Sequence, residues 1–208
     1  MALTETAICN LALAKIGALR LTDLDTDTSV QAIQCQLHYD QTRDALLRSH
    51  WWRFASARAE LVADADDPTF EWDNQFVLPD DFLRLKSVYD DNNTTRKNTL
   101  NSFALEGSLL LTNDSTASIR YIKKVTDVTE FDPLFVEVLV LNLAIKLVMP
   151  LAQDRKAKED LIKELRLLMP AVRTLDRQET NTIGRSDLGT WNDARLGDSR
   201  INSKLGSA

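Results

Sequence analysis

Asp23, Asp25 and Asp27 alternate through an acidic loop as the first three ligands of a calcium loop do. The pattern then fails, because the turn position that needs glycine holds Thr28 and the position of the bidentate glutamate holds Gln34. A hydrogen-bonded acidic loop is the expectation there. Gly184 and Gly189 have phosphate-loop spacing, but Thr190 stands next where lysine is required and no strand-like run precedes them. The two histidines, His38 and His50, have no second imidazole or Cys-X-X-Cys partner nearby in sequence, which speaks against zinc. There is no nucleophile elbow and no His-Glu-X-X-His. Acid–base chemistry is left with carboxylate pairs such as Glu71 with Asp73 and Asp80 with Asp81, and nothing singles one out for the separation of about 5 to 9.5 Å that glycoside hydrolysis needs. Arg120, Lys123 and Lys124 around Tyr121 form a small basic and aromatic group that could touch a nucleic-acid backbone; a solvated strand face is the plainer reading. The chain is therefore expected to have no catalytic residue, metal or cofactor.

The balance of 25 basic against 31 acidic residues gives a net charge of -6, which disfavours grip on phosphate backbones by the surface as a whole. With 208 residues, 44% of them hydrophobic, one ordinary domain plus a smaller module is within reach. MALTETAICN carries no basic n-region ahead of its apolar residues, so synthesis in a cytoplasm is expected, with Cys9 and Cys35 as buried free thiols on apolar helix faces.

The elements that would position any site are legible from periodicity. Thr4 caps a first helix whose apolar side is Ile8, Leu11, Ala12 and Ile16, and Gly17 ends it. Thr28 and Gln31 form a capping box for a long second helix, with Ala32, Cys35, Tyr39, Leu46 and His50 at helical spacing. Its outer side offers the pairs Asp40 with Arg43 and Asp44 with Arg48. The helix runs into an aromatic knot, His50, Trp51, Trp52 and Phe54, expected to be a structural junction between the helix pair and a strand-rich module.

Short alternating runs come next: LRLKSVY at 83–89, SFAL at 102–105, SLLLT at 108–112 and SIRYI at 118–122. They predict one small antiparallel sheet, with Glu106 and Gly107 in a two-residue turn and a long polar connection at 90–98. Helicity returns with Asp132 as cap and Pro133 at the first position, and residues 134–149 are apolar almost all round. Glu137, Asn142, Lys146 and the closing Pro150 make this a core or subunit-interface helix rather than a membrane span. A charged amphipathic helix starts from Asp154, with Pro170 expected to kink or interrupt it.

The expected fold is thus α+β, mainly α: an antiparallel helical bundle with a small antiparallel sheet inserted between helices two and three, plus an extended C-terminal tail. The corresponding units are a helix pair (1–50), the junction and β module (51–130), a second helix pair (131–177) and a docking tail (178–208). In the tail, Ile183, Leu188, Trp191, Leu196, Ile201 and Leu205 stand three to five residues apart in a polar, glycine-containing strip, the pattern of a strap with single anchors for a subunit or portal interface.

Several of these residues also carry a family resemblance. LAKIG at 13–17, Cys35, Tyr39, Arg43-Asp44 with Leu46 and Leu47, Trp52-Arg53-Phe54-Ala55 and LPDDFLR at 78–84 resemble the head-to-tail adaptors of short-tailed bacteriophages, the tail tubular protein A family, over residues 3–174. The resemblance implies a non-enzymatic virion protein of the tail or neck. Such a protein would be made in the bacterial host and form a dodecameric ring below the portal protein. It would dock the tail nozzle protein and continue the channel through which genomic double-stranded DNA passes without sequence-specific binding. No membrane partner is implied. A ring needs two different complementary patches, and residues 134–149 are a candidate for one. The competing expectations are a nucleic-acid-binding packaging or head-completion factor and, third, a glycan-cleaving enzyme.

Overall fold

The computed structural model describes residues 3–89 and 103–178. The polar connection at 90–98, Ser102 and the six tail anchors Ile183, Leu188, Trp191, Leu196, Ile201 and Leu205 lie outside the described residues.

Helix α1 (Glu5–Lys15) starts where Thr4 Oγ1 accepts the Ala7 N–H at 3.1 Å. It stops in a Schellman turn, where Ala18 N–H donates to Leu13 O, Gly17 N–H donates to Ala14 O, and Gly17 takes φ +69°, a conformation that strains any side chain. Its buried residues are Ile8, Cys9, Ala12 and Leu13, whereas the expected Leu11 is half exposed. Helix α2 (Val30–Ser49) is capped by Ser29, whose hydroxyl accepts the Ala32 N–H at 3.3 Å. The capping box expected at Thr28 is displaced by one residue because Asp27 already accepts the Ser29 N–H and sets the entry turn there.

Helix α3 (Pro133–Leu151) opens with Asp132 accepting the Leu134 N–H at 2.8 Å. It continues one residue past Pro150, whose missing N–H falls in the last turn. Helix α4 (Arg155–Gln178) runs through Pro170 without interruption. α3 is the central rod, with α1, α2 and α4 all laid against it. That arrangement explains an apolar composition on every side: Phe135, Val138, Leu139, Leu141, Leu143, Ala144, Leu147 and Val148 are buried in one helical core. By length and composition the helix could cross a membrane, but these side chains are covered by protein. The same burial removes most of α3 from consideration as one side of a subunit contact.

The single small sheet expected between helices two and three is not what forms. The described residues form two antiparallel sheets instead, with seven strands between them. The first orders its strands β1 (Ser56–Glu60), β7 (Ser118–Lys123), β4 (Phe82–Tyr89); the second orders β2 (Val62–Ala63), β3 (Asn74–Val77), β6 (Leu109–Thr112), β5 (Ala104–Glu106). The chain changes sheets at Leu61, between β1 and β2, where its N–H donates to Ala117 O at 2.8 Å. The switch occurs within one nearly continuous extended segment, so no turn signal marks it. The β5–β6 hairpin turns at Gly107 and Ser108, one residue later than expected, because Glu106 pairs with Leu109 and Gly107 supplies the positive φ of +58° at the first turn position.

Alternation along β7 makes its sheet a middle layer. Ile122 joins the helical core, while Ile119 and Tyr121 point the other way into a second core with Val88, Leu61, Phe76, Leu78 and Leu110 between the sheets. The order is helices, three-stranded sheet, four-stranded sheet.

Candidate functional site

The residues expected at the junction fall into two groups. Trp52, only 2% exposed, sits edge-on to His50 (ring centroids 5.0 Å apart) and Phe135 (5.1 Å), and Phe54 and Phe131 close the cluster on Phe135 at 5.0 Å each. Its indole N–H donates to Leu46 O at 3.0 Å. This cluster anchors the end of α2 to the start of α3. Trp51 faces the sheet instead, with the Arg84 guanidinium 4.1 Å from its ring centroid and the Lys86 ammonium at 5.7 Å. Arg84 Nη1 also donates to Arg48 O at 3.1 Å, at the negative end of α2, and Arg48 Nη1 donates back to Leu83 O. Two arginines exchanged across the gap thus form a bracket between α2 and β4. The expected Asp44–Arg48 pair does not form because Arg48 is committed to that carbonyl, and Asp44 meets Lys124 at 3.1 Å instead.

Helical spacing puts Arg43 on the solvated side of α2, yet it is 2% exposed. Its guanidinium meets Asp40 and Asp44 at 2.9 Å each and Glu5 at 3.9 Å, and lies 5.9 Å from the Tyr39 ring centroid. The fan of carboxylates explains why a full charge is tolerated there. Burial pushes the Glu5 carboxyl above its ordinary value against the opposing pull of Arg43. Cys9 and Cys35 are buried free thiols on facing helices, and the hydrogen bond between them together with burial raises the Cys9 thiol. No sequence signal marks Arg43 as buried, and its partner Glu5 comes from α1, far away in sequence.

The other chemical candidates are dispersed. Asp23 Oδ1 accepts the N–H groups of Asp25 and Thr26, and Asp27 those of Thr22 and Ser29; backbone hydrogen bonds hold both carboxyls below the ordinary value. Asp81 accepts the Tyr121 hydroxyl at 2.9 Å, and burial, with that hydrogen bond second, pushes the Tyr121 phenol up to about 12. Tyr121 is buried between the sheets and offers no stacking face, while Lys123 is paired with Glu130 and Lys124 with Asp44. The basic and aromatic group read from the sequence is therefore divided between two faces of the sheet. Arg120 of that group opens onto a cavity.

Exposed large apolar side chains among the described residues include Leu19 and Leu167 and gather in two further places. Val30, Ile33 and Leu37, each more than half exposed, recur at positions i, i+3 and i+7 of α2, opposite the buried Ala32, Cys35 and Tyr39. On the far layer, Val62 (75% exposed) pairs with Val77, which pairs with Leu109, and Phe70 (78% exposed) stands beside a cleft of about 180 Å³ lined by Trp72, Gln75, Glu106 and Leu111. Contiguous apolar surface of this kind marks contact sites on folded proteins.

No protein-family model matches the chain, and no curated protein matches it in sequence.

Proposed function

We propose that the chain is a non-enzymatic ring-forming adaptor of a phage virion, placed between portal and tail nozzle, as the sequence resemblance implies. The observation that carries the reading is the pair of unlike apolar faces, the α2 stripe at Val30, Ile33 and Leu37 and the outer face of the four-stranded sheet at Val62, Val77 and Phe70. A closed ring is built from heterologous contacts, each joining one patch to a different patch on the next copy. Two faces on opposite layers of a chain braced by the Arg48–Arg84 bracket suit that geometry. The tail anchors, Trp191 foremost, serve as a strap onto portal or a neighbouring subunit, with a buried aromatic as the energetic centre. A net charge of -6 suits a conduit through which a polyanion slides.

The test blocks one face at a time, with Ile33→Asp plus Leu37→Asp on α2 and Val62→Asp plus Val77→Asp on the sheet. Each variant should stay folded and fail to form rings with portal. Mixed together they should form dimers and nothing larger, because only one complementary pair of faces survives. Rings formed by either variant alone would refute the assignment of faces.

A further inference from the structure

We infer that the cavity over the outer end of the three-stranded sheet is a phosphate-binding site built on Arg58 and Arg120. The register places these two arginines directly opposite each other, Arg58 on β1 and Arg120 on β7. Like charges in that position repel, and an anion bound between them relieves the repulsion. Among the described residues neither guanidinium makes an ion pair, so both keep their donors for a ligand. The cavity above them has a volume of about 440 Å³. That is room for a phosphate together with the group that carries it.

The surrounding residues are the ones such a ligand requires. In the next row out, Ser118 pairs with Glu60 on one side and Tyr89 on the other, so a serine hydroxyl and a phenol stand on the same face as the two guanidiniums. Guanidinium forks present paired N–H donors that match the oxygens of a phosphoryl group, and the hydroxyls add neutral donors. Among the described residues Glu60 is the one carboxylate in the lining, so the charges of those residues sum to one net positive. The shared chemistry is a phosphate oxyanion, supplied either free, as phosphate or a nucleotide, or by a nucleic-acid backbone. The inference rests on register and charge and does not depend on the adaptor reading.

The experiment follows the melting temperature of the full chain in inorganic phosphate against chloride of matched ionic strength. A saturable rise is expected for the wild type. Arg58→Gln and Arg120→Gln should each weaken the phosphate response at least tenfold and melt higher than the wild type in chloride, because the repulsion is relieved. Arg58→Lys, which keeps the charge and loses the fork, should fall between, and the remote Lys163→Gln should respond as the wild type does. Displacement of phosphate by a short DNA duplex, with duplex binding lost in Arg58→Gln, would identify the backbone as the source; phosphate binding without duplex binding would identify the free anion. No saturable difference from chloride in the wild type, or an unchanged response in both glutamine variants, would overturn the inference.

Discussion

Trp52→Ala should destabilise the fold by about 3 to 5 kcal/mol, the range for emptying a buried large aromatic site. The indole is 2% exposed and touches three other rings, and a tryptophan buries about 150 to 250 Å². At about 25 cal/mol per Å² that area alone is worth roughly 4 to 6 kcal/mol, so the expected range already allows partial collapse of the cavity. Loss of the indole N–H adds little. Leu46 O, which accepts it, also accepts the Ser49 hydroxyl at 2.8 Å and is not left without a donor. Trp52→Phe should therefore lose far less than Trp52→Ala. Trp51→Ala removes a partly exposed ring and its cation–π contacts, a loss of about 0.5 to 2 kcal/mol. Urea unfolding tracked by circular dichroism would rank the three variants, and a melting-temperature drop of roughly 6 to 20 °C is expected for Trp52→Ala in a chain of this size. A Trp52→Ala loss below that of Trp51→Ala, at unchanged denaturant slope, would refute the assignment of Trp52 as the anchor.

Arg43→Ala should cost about 2 to 4 kcal/mol, below the full cost of breaking a buried pair because Asp40 and Glu5 remain partly solvated, whereas Arg43→Met should stay within about 1 kcal/mol of wild type; equal losses in chemical denaturation would contradict this. Leu139→Ala, at the centre of α3, should cost about 2 to 5 kcal/mol by the same measurement, and a wild-type protein that partitions into membranes when expressed alone would contradict the packing of that helix. The raised Tyr121 phenol means that the unfolded chain releases this proton near pH 10 and the folded chain near pH 12, so stability is full below pH 10 and falls by up to about 2 kcal/mol between those values. Tyr121→Phe should remove that part of the alkaline loss, and an unchanged pH profile would show that the phenol ionises normally.

Local signals in the sequence carried as far as local physics reaches. Thr4, Gly17 and the Asp132-Pro133 start act within a few residues, and each lies where its capping chemistry predicts. Shifts of one residue, from Thr28 to Ser29 and from Glu106–Gly107 to Gly107–Ser108, arise where two adjacent residues could both serve and a neighbouring hydrogen bond decides. The two-sheet architecture was hidden because the change of sheet at Leu61 needs neither glycine nor proline, and because β1, SARAE, and β3, NQFV, are short and lack an alternating apolar pattern of large residues. The burial of Arg43 was hidden too, since an arginine flanked by aspartates on a helix looks the same whether it is buried or solvated. Arg58 and Arg120 are 62 residues apart and become a pair only through the β1–β7 register.

The adaptor reading is tested most directly by the mass of the purified chain alone and mixed with its cognate portal protein, measured by native mass spectrometry. The expected result is a portal complex in which one ring, close to twelve times the 23.5 kDa chain by the family resemblance, is added as a unit. A chain that never joins portal at any mixing ratio, while remaining folded, would contradict the adaptor reading.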